Sequence, residues 1–144
     1  MDPKHRHSWF GSVVLVGAIY ATAGIVFALP AGHARAWRMA AWIVSAVVYA
    51  SHLGYERFRL RNSSLISALH VALAAALGAL GLAIAANLHS LSVTTTSQHQ
   101  RLLLIALAAW PAITGLPAFL VALGLSAALT RLFRRKPAAL DPIL

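Results

Sequence analysis

LISALHVALAAALGALGLAIAANL, residues 65–88, is the stretch that decides the fold. It carries no charge from end to end, and its polar side chains are Ser67, His70 and Asn87. A helix rises about 1.5 Å per residue, so about 20 apolar residues cross the roughly 30 Å of hydrocarbon in a bilayer. Water is absent at that depth. A run of this kind must therefore satisfy its own backbone N–H and C=O groups, which a helix does.

Three further runs lie on either side: 9–29, which starts at Trp9; 37–55, which starts at Trp37; and 102–129, which starts at Leu102. Short Arg-bearing gaps separate the four. The pattern predicts an all-α membrane protein, with four transmembrane helices in an up-down antiparallel bundle. The whole chain, 1–144, reads as one membrane domain that ends in a basic tail at 131–144. Composition agrees: 60% of residues are apolar and 10% charged, against roughly 45–50% and about 25% in soluble domains.

The basic residues set the orientation, because cytoplasmic loops carry the excess of Lys and Arg. Lys4, Arg6, Arg57, Arg59, Arg61, Arg131, Arg134, Arg135 and Lys136 fall on one side of a four-pass chain, and Arg35, Arg38 and Arg101 on the other. Both termini are therefore expected in the cytoplasm. The net charge of +9 is confined to gaps and ends. It reads as orientation and contact with anionic lipid, not as a nucleic-acid surface. The expected partners are the lipid bilayer and either a second copy or a larger membrane complex. The Ala- and Leu-rich, Arg-over-Lys composition points to a bacterial inner membrane. The first run has a competing reading as a signal peptide, with small residues at Gly32-His33-Ala34. It is longer than the usual apolar core of such a leader, about 7–15 residues, and it carries a packing face, so a span is expected.

That face holds Gly17, Ala21 and Gly24. The third run places Ala74, Gly78, Gly81 and Ala85 on one arc with Ser67 and His70. Small residues let helix backbones approach closely. The arc suits either the first helix or a second copy of the chain.

No cysteine is present, which removes disulfide, thiol and thiolate-metal chemistry. Motifs for serine hydrolysis, zinc hydrolysis and phosphate binding are also missing. No carboxylate lies within a run, which counts against an ion-coupled carrier. His52 and His70 are the chemistry-bearing pair. They stand equally far from Arg61, the middle of the gap between the second and third helices, so an antiparallel hairpin puts them at one depth. Ser45, Tyr49, His52 and Glu56 follow helical spacing, so the Glu56 carboxylate can orient the His52 imidazole. Three uses of the pair stay open: axial ligation of haem b, a proton or metal site, and hydrogen bonding within the bundle. In the fourth run, Pro111, Thr114, Gly115 and Pro117 mark an expected helix break, because each proline removes a backbone hydrogen bond. Such breaks build carrier sites or bend a long helix. The sequence therefore points first to a non-enzymatic membrane subunit or accessory protein that acts through helix packing. The alternatives are a haem b anchor using His52 and His70, and a small channel or carrier around Pro111–Pro117.

Overall fold

The computed structural model describes residues 3–28, 34–91 and 96–134. They form four long helices: α1 (Pro3–Ala28), α2 (Ala34–Gly54), α3 (Ser64–Leu91) and α4 (Ser97–Arg134). A π-helical segment, Tyr55–Arg59, continues α2. The helices outrun the apolar spans at several ends. Between the runs 65–88 and 102–129, Ser90 and Leu91 belong to α3 and Ser97–Gln100 to α4. Residues 29–33 and 92–95, and the part of the basic tail beyond Arg134, lie outside the described residues.

Among the described residues, three helices are long and apolar enough to cross a membrane, over Trp9–Phe27, Ser64–Ser90 and Ser97–Leu132. The sequence reading anticipates four. α2 has the length, at 21 residues, but Arg38, Ser45, Tyr49 and His52 dilute its hydropathy.

α3 is the centre of the molecule. It packs chiefly on α4 and α1, while α2 leans mainly on α1 and touches α3 lightly. Half of the apolar stretch of α3 is buried, against 11% for α1 and α4. Most apolar side chains thus face outward; Leu116 and Leu120 of α4 are two of many. Apolar exposure of this extent is unusual for a protein surface in water. It is compatible with a helix surface in contact with lipid.

Glycine decides how closely α1 and α3 approach. A Cβ on Gly17 would sit 2.9 Å from the Leu77 Cβ and 3.2 Å from the Ala74 carbonyl oxygen. A Cβ on Gly24 would strike Leu82 at 2.7 Å, and one on Gly81 would meet the Ala21 Cβ at 2.8 Å. Gly78 faces Tyr20 and the Gly17 carbonyl. The small arc of α3 therefore lies against α1 in this chain. On the other flank, Gly115 of α4 seats against Ala76 and the Ala72 carbonyl. At the far end Asn87 Nδ2 donates to the carbonyls of Ala83 (2.8 Å) and Leu103 (2.9 Å), which ties α3 to α4.

One expectation changes. α4 runs unbroken from Ser97 to Arg134 with Pro111 and Pro117 inside it, so these residues do not interrupt the helix. Two contacts support the segment. Gly115 packs on α3, and the Tyr49 hydroxyl of α2 donates a short hydrogen bond to the Ala118 carbonyl.

Candidate functional site: a buried carboxylate between two histidines

The site forms where α2 changes its winding. In the π segment the Leu60 N–H bonds the Tyr55 carbonyl (3.2 Å), and the Asn62 N–H bonds the Glu56 carbonyl (3.1 Å). Arg61 lies between them in the left-handed region, φ 52°. This resembles a Schellman helix end, with Arg61 where glycine usually sits. The closing bond reaches one residue further back than usual, which matches the wider winding of the π segment.

This turn points Glu56 inward. It is fully buried, although it lies in a gap of the sequence pattern. Its Oε2 accepts a hydrogen bond from His70 Nδ1 at 3.0 Å and another from Asn62 Nδ2. A carboxylate has only acceptors to offer, so the His70 tautomer with a proton on Nδ1 is the one that fits. His52 Nε2, one turn back on α2, is 3.6 Å from Oε1. That is ion-pair range but longer than a hydrogen bond. The Trp9 ring of α1 stacks on the His70 ring, with centroids 4.8 Å apart and planes 5° from parallel. Arg57 closes the end of the bundle: Nη1 donates to the Asn62 carbonyl (2.8 Å) and Nη2 to Thr130 Oγ1 of α4 (2.9 Å). The Thr130 hydroxyl in turn donates to the Ser126 carbonyl. All four helices therefore meet at this end.

Burying a carboxylate is costly unless it is paired and hydrogen-bonded. Burial pushes the Glu56 carboxyl up. The His52 and His70 imidazoles and the Asn62 amide outweigh that effect and hold it below the ordinary range. Polar capacity is left over. His52 Nδ1 and Nε2, Glu56 Oε1, and the hydroxyls of Ser67 and Ser126 are buried without a hydrogen-bond partner among the described residues.

His52 and His70 thus converge, but on a third residue. The Glu56 carboxylate occupies the space between their rings, where axial ligation would require a macrocycle. No three His, Asp or Glu side chains among the described residues have a metal-binding arrangement. Ser45 and Tyr49, read as one row with His52 and Glu56, diverge from them. They line a separate cleft of about 910 Å³ between α2 and α4, which also takes in Thr114 and Pro117. Reading the sequence alone misses Asn62, Trp9 and the Arg57–Thr130 bond. The available signal was shared depth: in an up-down bundle the start of α1, the α2–α3 turn and the end of α4 come together at one end. No protein-family model, curated protein or solved structure is detectably similar to the chain.

Proposed function

We propose that the chain is a small four-pass protein of a bacterial inner membrane, with both termini cytoplasmic, that works without catalysis as a subunit or accessory protein through helix packing. The observation supporting this is an uneven use of helix faces. α3 is the most enclosed helix, whereas α2 meets α4 around the Tyr49–Ala118 bond and leaves the cleft of about 910 Å³ open between them. Ala41, Ala46, Ala86 and Ala106 contribute to its walls. Small residues of this kind let a further helix approach closely. The occupant is a helix of a second copy, because paired identical subunits are the commonest assembly and α2 presents its exposed Trp42 and Ala46 at the mouth of the cleft. The Glu56 cluster serves this role as a clamp, holding the ends of the helices while the cleft stays open.

The absence of cysteine makes the test clean. Ala46→Cys, treated with a bis-maleimide in native membranes, is expected to give a covalent dimer. A monomer band alone, from a cysteine that still reacts with a mono-maleimide, would overturn the packing role.

A further inference from the structure

We propose that the end of the bundle formed by the π segment and the end of α4 is a binding site for the headgroup of an anionic phospholipid. Arg57 lies in the turn between α2 and α3 and bonds Thr130 of α4 through Nη2 at 2.9 Å. That bond brings the turn, with the exposed Arg59 and Arg61, against the neighbourhood of Thr130, and the next residue is the exposed Arg131. Four arginines are thus carried by the turn and by the stretch of α4 that Arg57 bonds. Glu56 is the only carboxylate among the described residues. It is fully buried and engaged by His70 and Asn62. Among the described residues, then, no exposed carboxylate stands beside these arginines, and their charge is open to an external anion.

The surroundings specify the kind of anion. Leu65 of α3 and Leu125 of α4 are 60% and 45% exposed, and each lies inward of the arginines along its helix. The patch is therefore arginine at its rim and apolar just inside, where the long apolar stretches of α3 and α4 end. A phospholipid has that same sequence of parts, phosphate outside and acyl chain within. Guanidinium matches phosphate with paired N–H donors, and basic pockets between membrane helices take such headgroups. Arg61 can be tested alone. It holds a left-handed backbone that glycine adopts more readily, so its side chain can be removed without straining the turn.

The inference rests on membrane insertion but not on dimerisation. Insertion is read separately, by resistance of the full chain to alkaline extraction from membranes. The site is tested by thermal unfolding of the purified full chain in neutral detergent micelles, titrated with phosphatidylglycerol, phosphatidylcholine or inorganic phosphate. Phosphatidylglycerol is expected to raise the midpoint saturably by several degrees, with little change from the other two. The triple variant Arg59→Gln, Arg61→Gln, Arg131→Gln should need about 100-fold more phosphatidylglycerol for the same shift. Arg61→Gly, which relaxes the turn, should melt no lower than the parent and still lose part of the response. Equal shifts from both lipids would sink the proposal. So would a full response of the triple variant, and a shift from phosphate alone would make the site one for a soluble anion. An inserted chain whose melting ignores lipid charge loses this site and keeps the membrane reading.

Discussion

His70 Nδ1 donates to Glu56 Oε2 at 3.0 Å across 14 residues of chain, so the acid at the end of α2 is fastened to the first turns of α3. The pair encloses the π segment and the left-handed Arg61 between its two ends. Trp9 stacks on one face of the imidazole.

Removing one partner of this pair should cost more than the bond itself. Glu56→Ala leaves His52, His70 and Asn62 facing a void, and losing one member of a buried charge-paired set typically costs about 3–5 kcal/mol. Glu56→Gln keeps the shape and one acceptor and should cost less. Denaturant unfolding in micelles measures both. A Glu56→Ala protein as stable as the parent would show that the cluster does not hold the bundle end together.

Acid should weaken the same contact. The folded-state affinity of the Glu56 carboxyl for its proton is depressed. Its contribution is therefore present above the unfolded carboxyl's pKa, about 4.3, and is lost as pH falls through the lower folded value. The midpoint of the parent should drop more steeply than that of Glu56→Gln between neutral and strongly acidic pH. Parallel curves would assign the acid sensitivity to other groups.

The haem alternative makes a spectral demand. An imidazole pair ligating haem b would give a Soret band that disappears in both His52→Ala and His70→Ala. With a carboxylate between the rings, the expected outcome is a colourless protein, even after expression with added haem precursor. A Soret band lost in both variants would mean that the helix ends rearrange around a cofactor.

The α1–α3 seam should reject volume. Gly81→Leu places a side chain where a single Cβ already meets Ala21 at 2.8 Å, and overpacking typically costs about 1–3 kcal/mol. Leu88→Phe, at a position 63% exposed, should be nearly neutral. Similar melting of the two would mean that the helices separate easily.

Orientation is tested at the C-terminus. Nine of the twelve Lys and Arg residues fall on the side assigned to the cytoplasm, so a reporter active only in the periplasm, fused after Leu144, should stay silent. A strong signal would require an odd number of crossings or a cleaved first helix.

Much of the fold was legible because hydrocarbon imposes a simple rule. Uncharged runs such as 65–88 and 102–129 must be helical and must be about a bilayer thick. Glycine spacing at Gly17, Gly24, Gly78 and Gly81 marked the surfaces where backbones come close. The site was legible only in part. Equal distance from Arg61 put His52 and His70 at one depth, and helical spacing joined His52 to Glu56. That spacing could not say whether the row faced the bundle or its surroundings.

By itself, then, the sequence determined an all-helical chain suited to a membrane, with its charge at the ends and its small residues at defined positions. Those properties follow from local composition and from the period of the helix. The tertiary structure alone decided which helix is central and which way Glu56 turns. Helices such as α3 are apolar almost all round, so periodicity gives them no inward direction. The direction of Glu56 depends on one extra residue per turn in the π segment, on a left-handed Arg61, and on donors from Asn62 and His70, contacts that exist only once the α2–α3 turn has closed.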